Sequence, residues 1–90
     1  MSLETKATTT QSTAKPVELP ILHLDSEGGA VILLQQLLES HSYRTGGIDG
    51  KFGSKTEQAV KTFQKTFGLV VDGIVGAKTW NKLGDRLINP

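Results

Sequence analysis

The sequence writes one short phrase twice. Asp49-Gly50-Lys51-Phe52-Gly53-Ser54-Lys55-Thr56 returns as Asp72-Gly73-Ile74-Val75-Gly76-Ala77-Lys78-Thr79, with five of eight positions identical at an offset of 23 residues. A period of this length marks one supersecondary unit used twice. Each copy is a glycine-bearing loop that runs into a stretch with helical spacing. Gly50 and Gly73 suit a sharp turn because glycine accepts φ > 0 without a steric penalty. The aspartate before each can fold its carboxylate onto loop N–H groups as an Asx-turn. The phrase is therefore first a device for starting a helix at a fixed angle.

The apolar spacing predicts three helices. The first covers about 28–42, with Ala30, Val31, Leu34, Leu37, Leu38 and His41 on one face. Ser26 or Asp25 is placed to cap it, Tyr43 folds back on the core, and His41 reads as a structural histidine. The second covers about 54–67, with Ala59, Val60, Phe63 and Phe67 inside and Glu57, Lys61 and Lys65 as an exposed ladder. It starts either with a capping box at Ser54 and Glu57 or with Gly53 as cap, matched by Gly76 in the other copy. Gly68 ends it. The third runs from Ala77 to Arg86 or Leu87, with Trp80, Leu83 and Leu87 on its inner face. Strand signals are confined to Leu69-Val70-Val71 and an isolated Ile48, so the expected class is all-α.

Ninety residues make one domain at most. Residues 1–20 are rich in Thr, Ser, Lys, Ala and Gln and read as a disordered tail or linker; the folded domain is 21–90. The net charge of +1 gives no electrostatic case for nucleic acid or an anionic membrane. The chain has no cysteine, which removes disulfides, thiolate zinc sites and a cysteine nucleophile. No apolar run reaches the roughly 20 residues of a membrane span, and the N-terminus lacks the apolar core of a signal peptide. The chain is then either cytoplasmic or excised from a longer exported protein.

Residues 24–83 resemble the bacterial peptidoglycan-binding domain, a small three-helix module of cell-wall hydrolases. Leu34-Gln35 with Leu38 and Tyr43 fits its first helix. Asp49-Gly50, Phe52-Gly53, Thr56, Ala59-Val60 and Phe63-Gln64 fit its centre. Gly68-Leu69, Asp72-Gly73, Val75-Gly76, Thr79-Trp80 and Leu83 fit its close. His41, Ser42, Ser54 and Ala77 depart from the usual residues of that pattern. The resemblance implies a closed three-helix bundle with the second and third helices as the repeated pair. It implies non-catalytic binding of peptidoglycan glycan strands or stem peptides by a monomer without a cofactor, targeting an attached or partner hydrolase to the wall. It places the chain in the cell envelope if it is part of an exported protein. The alternative is a protein-interaction module like the three-helix pro-segments of metalloproteases, although a chain without cysteine cannot form a thiolate latch on zinc.

The residues themselves offer little for catalysis. His23 and His41 have no motif partner and HExxH is absent. Asp49 and Asp72 could be a hydrolytic carboxylate pair, but the repeat gives each a plainer task within its own loop. Lys51 and Gly53 stand where an EF-hand needs oxygen ligands. Binding needs only a few fixed polar groups beside an apolar floor. The first loop offers Arg44, Asp49, Lys51, Ser54 and Lys55 beside Tyr43 and Phe52. The second offers Asp72, Val75, Lys78 and Trp80, with Ile74 between them. Phe52 and Val75 fit a core or a surface role equally; Trp80 fits a core role with its ring edge exposed. Gln64 reads as a partner for loop backbone.

Overall fold

The computed structural model describes residues 19–88, with side chains to residue 85. Three helices follow one another: α1 (Gly29–Ser40), α2 (Ser54–Thr66) and α3 (Ala77–Ile88). Among the described residues no strand forms, and the fold is an all-α bundle. The expected tail over 1–20 lies outside the described residues except for its last two.

The helix stripes close on one core. Val31, Leu34 and Leu38 from α1, Val60 and Phe63 from α2, and Leu83 from α3 have no exposed surface. Phe63 sits at the centre, with the Tyr43 ring edge-on at 5.5 Å and the Phe67 ring tilted at 4.7 Å. Tyr43 thus folds back as its position after the helix suggested. His41 is half-buried at the C-cap of α1. The expected inward position of Leu87 lies outside the described side chains.

The helix ends show how the chain is steered. Both α1 and α2 stop in a Schellman motif. Tyr43 N–H donates to Leu38 O at 2.8 Å and Ser42 N–H to Glu39 O at 2.9 Å, with Ser42 at φ 71°. Leu69 N–H donates to Gln64 O at 2.8 Å and Gly68 N–H to Lys65 O at 3.3 Å, with Gly68 at φ 71°. These bonds satisfy the last carbonyls of each helix and turn the chain away from its axis. The starts depart from one expectation. Gly28 and Gly53 are the N-caps and no side chain caps either helix, so neither Asp25 nor Ser26 caps α1 and the capping box at Ser54 does not form. Gly76 O accepts from Trp80 N–H at 2.9 Å, the equivalent arrangement in α3.

The segment before α1 straps both repeated loops. Leu22 exchanges two backbone hydrogen bonds with Val75, at 3.1 and 2.8 Å. Three residues on, Asp25 N–H donates to Phe52 O, Phe52 N–H to Ser26 O, and Gly28 N–H to Gly50 O, all at 2.8–2.9 Å. Trp80 anchors the strap from below through Nε1–H donation to Pro20 O at 2.8 Å. These pairings turn Phe52 and Val75 inward, 1% and 0% exposed, and leave Trp80 at 6%. The two readings left open by the sequence for Phe52 and Val75 resolve to core, as does the core role of Trp80.

The exposed ladder on α2 is also different in detail. Glu57 and Lys61 are half-buried and their stems lie over Gly73; Lys65 remains exposed.

Because Phe63 touches two other rings at the centre of so small a core, Phe63→Ala should cost about 3–5 kcal/mol. Urea denaturation followed by circular dichroism measures it. A cooperative transition at the parent midpoint would show that the α2 stripe does not hold the bundle.

Candidate ligand-binding site

Each repeated loop is built around one buried glutamine. Gln35, on the inner side of α1, is 1% exposed. Its Oε1 accepts from Asp49 N–H at 3.1 Å and Gly50 N–H at 2.9 Å. Its Nε2 donates to Asp49 Oδ1 at 3.1 Å, Lys51 O at 2.9 Å and Thr56 Oγ1 at 3.1 Å. Gln64, on α2 and also 1% exposed, repeats the set. Oε1 accepts from Asp72 N–H at 3.1 Å and Gly73 N–H at 3.0 Å. Nε2 donates to Asp72 Oδ1 at 3.0 Å, Ile74 O at 3.0 Å and Thr79 Oγ1 at 3.2 Å. One side chain thereby ties a helix, the loop after it and the start of the next helix.

Gly50 and Gly73 are required at the turn of each clamp. Their φ values are 76° and 73°, in the left-handed region. A Cβ on Gly50 would lie 3.1 Å from Ile32 Cγ1, and one on Gly73 3.0 Å from Lys61 Cε. The aspartates close the Asx-turns the sequence suggested. Asp49 Oδ1 accepts from Lys51 N–H at 3.0 Å, and Asp72 Oδ1 from Ile74 N–H at 2.9 Å.

The repeat is thus a helix–loop–helix unit with α2 shared. The glutamines are 29 residues apart and the loops 23. The difference of six residues is split between a longer helix after Gln35 and a longer loop before Asp49. That extra loop has its own brace: Glu39 Oε2 accepts from Thr45 N–H at 2.8 Å and from Thr45 Oγ1 at 2.9 Å.

Beside each clamp lies a groove. The first, of about 280 Å³, is lined by Thr45, Gly46, Asp49, Lys51, Gly53, Ser54, Lys55 and Thr56. The second, of about 450 Å³, is lined by Gln64, Gly68, Leu69, Val70, Asp72, Ile74, Gly76, Ala77, Lys78 and Thr79. All eight lining positions of the first groove recur 23 residues later in the second, from Thr45/Gly68 to Thr56/Thr79. The grooves sit at opposite ends of α2, since Thr56 and Gln64 are separated by roughly 12 Å of helix.

The sequence-selected residues divide accordingly. Asp49, Lys51 and Ser54 meet in the first groove, and Asp72 and Lys78 in the second. Arg44 is exposed and Tyr43 half-buried, and neither lines a groove. Phe52, Val75 and Trp80 are in the core and present no binding surface of their own. Gln64 holds loop backbone as its sequence reading proposed. Its counterpart Gln35 was missed, although Leu34-Gln35 and Phe63-Gln64 already show the 29-residue spacing. Leu69 and Val70 were missed as groove walls because they read as a short strand.

The loop hydrogen bonds favour the charged form of both carboxylates. The Lys51 backbone N–H, then the Gln35 amide, lowers the pKa of Asp49 below the ordinary aspartate value. The Ile74 backbone N–H, reinforced by Gln64, does the same for Asp72. The backbone N–H and hydroxyl of Thr45 lower Glu39. A group whose pKa falls on folding contributes stability above its unfolded pKa and loses it as pH drops through the folded value. The melting temperature should therefore be flat from neutral pH to about pH 5 and fall below about pH 4. Asp49→Asn and Asp72→Asn, which keep an acceptor oxygen, should each flatten that acid slope in calorimetry. An unchanged slope in both would show that these carboxylates are not linked to folding.

The chain is similar in sequence and fold to known proteins. Residues 27–83 match the peptidoglycan binding domain family. An uncharacterized protein of Kitasatospora aureofaciens is 49% identical over 65 residues, which is 71% of this chain and 55% of that protein. The spore cortex-lytic enzyme of Bacillus cereus is 44% identical over 59 residues, 66% of this chain and 23% of the enzyme. The crystal structure of the SleB N-terminal domain superposes with a TM-score of 0.74 at 38% identity, covering 79% of this chain and 97% of that domain. The chain spans about half of the first of these proteins and about a quarter of the second. With its three helices, its glutamine-clamped loops and a match over 27–83, the chain belongs to the peptidoglycan binding domain family.

Proposed function

We propose that this chain binds bacterial peptidoglycan without cleaving it, and that it brings an attached or partner wall hydrolase to its substrate in the cell envelope or outside the cell. One observation carries the site assignment. The clamped loops place two grooves on the surface, and the larger combines an apolar wall, Val70 and Ile74, with Asp72 and Lys78. Wall polymers present amides, hydroxyls and carboxylates beside methyl groups, and such a groove suits them. The relatives include a spore cortex-lytic enzyme of which this chain matches 23%, an arrangement in keeping with a binding module carried by a larger enzyme.

The geometry also favours this reading over hydrolysis by the described residues. Asp49 and Asp72 stand at opposite ends of α2, with roughly 12 Å of helix between the clamps that hold them. Glycosidase carboxylates face each other across about 5–10 Å of one cleft. Each aspartate here accepts hydrogen bonds within its own loop, and these favour its charged form over the protonated one a general acid needs. Among the described residues no cluster of His, Cys, Asp or Glu could hold a metal ion.

Purified chain should pellet with bacterial sacculi and release no soluble fragments from them. The double variant Lys51→Ala/Lys78→Ala, one change per groove, should lower the pelleted fraction, whereas Lys65→Ala on the exposed face of α2 should not. Pelleting no better than a non-binding control protein would refute the binding reading, and release of muropeptides would refute its non-catalytic character.

A further inference from the structure

We propose that the second groove reads the stem peptide of peptidoglycan through its small, alanine-type residues rather than the sugar chain, and that Val70 and Ile74 set this preference. The inference rests on the reading that the chain binds peptidoglycan.

The two grooves share one backbone frame. The corresponding clamp distances agree to within 0.1 Å: 3.1 and 3.1 Å at Asp49 and Asp72 N–H, 2.9 and 3.0 Å at Gly50 and Gly73 N–H, 3.1 and 3.2 Å at Thr56 and Thr79. Their chemical difference therefore lies in side chains. Lys51 becomes Ile74, Ser54 becomes Ala77, and the wall supplied by Thr45 and Gly46 becomes Gly68 and Leu69, extended by Val70. Every one of these changes removes polarity or adds hydrocarbon. The frame itself does not ask for it, since the same position holds a lysine in the first loop. Ile74 is nevertheless 42% exposed and Val70 76% exposed, at a free-energy cost that a bound apolar group would recover.

The character of the wall selects the ligand. Among the described residues no aromatic ring lines this groove: Phe63 and Trp80 are buried, and Tyr43 and Phe67 lie outside its lining. The flat apolar face of a sugar is best matched by an aromatic ring, whereas branched aliphatic side chains fit methyl groups. The polar complement is that of a peptide. Asp72 spends Oδ1 on Gln64 and on Ile74 N–H, and its second carboxylate oxygen accepts no hydrogen bond from the described residues. It can accept from a ligand amide N–H, while exposed Lys78 donates to the neighbouring carbonyl. A methyl beside that amide then meets Val70 and Ile74. At about 450 Å³ the groove lies in the small part of the range of ligand pockets, roughly 300–1,000 Å³, with room for a short peptide segment.

The test is an NMR titration of the whole chain with two probes, the synthetic tetrapeptide L-Ala-γ-D-Glu-L-Lys-D-Ala and N-acetylglucosamine tetramer. The tetrapeptide should shift amides of residues 68–79, and the sugar should leave them in place. Ile74→Lys, which copies the first groove into the second and so keeps the fold, should weaken the tetrapeptide at least about fivefold through lost apolar contact. Val70→Ser should act in the same direction. Shifts of 68–79 by the sugar alone would overturn the proposal, as would parent-like tetrapeptide binding by both variants. If neither probe shifts these amides while sacculi still pellet the chain, the groove assignment is wrong and the peptidoglycan reading stands. If sacculi do not pellet it either, both are wrong.

Discussion

A primary amide has two N–H donors and one oxygen with two lone pairs, and in this domain two such groups are fully used inside the protein. Gln35 and Gln64 each accept two loop N–H groups and direct both amide hydrogens at three acceptors. Buried polar groups are tolerable only when satisfied, and here satisfaction runs both ways. The loop N–H and C=O groups of 49–51 and 72–74 find in the glutamine the partners that no strand supplies. Loss of either side chain would leave several buried groups without partners at about 1–3 kcal/mol each. The glycine turns, the helix starts and both grooves follow from this contact.

Much of that was legible in the sequence. The repeated phrase located the turns and the helix starts, and the apolar spacing located all three helices within about two residues at each end. The Asp-Gly pairs announced Asx-turns with left-handed glycines, and both are present. What stayed hidden depended on contacts distant along the chain. An apolar residue two places after Asp-Gly looks the same whether it points in or out; Phe52 and Val75 point in because the segment at 22–28 pairs with their backbones. The α1 cap was misplaced for the same reason. Residues 25 and 26 are engaged with Phe52, so their side chains do not cap the helix. The loop-holding role of Gln35 is not legible locally, because a polar residue beside Leu34 on a helix ordinarily reads as an edge position; only the spacing to Gln64 distinguishes it.

The same logic explains how one frame can carry two surfaces. Because the glutamine and the aspartate fix the backbone, the outward positions 51 and 74, and 54 and 77, vary without disturbing the core. The loop before each aspartate is free in length as well, and the first unit carries a longer one braced by Glu39 and Thr45. Binding chemistry therefore resides in positions the fold leaves free, which is why the grooves differ while the clamps do not. It is also why the candidate site is only half visible in the sequence: its polar residues, Asp49, Lys51, Ser54, Asp72 and Lys78, stand in the repeated phrase, whereas Leu69 and Val70 enter the groove through the geometry of the turn after α2.

The central claim is that the two loops are rigid parts of the core because a buried side chain holds them. Amide hydrogen exchange measures this at single residues. Gly50 and Gly73 have backbone N–H groups bonded to Gln35 and Gln64, so they should exchange as slowly as Val60 and Phe63 in the middle of α2, through global unfolding. Exchange of both glycines at the rate of an open loop, with α2 still protected, would contradict the account and leave the loops as independent, mobile connections.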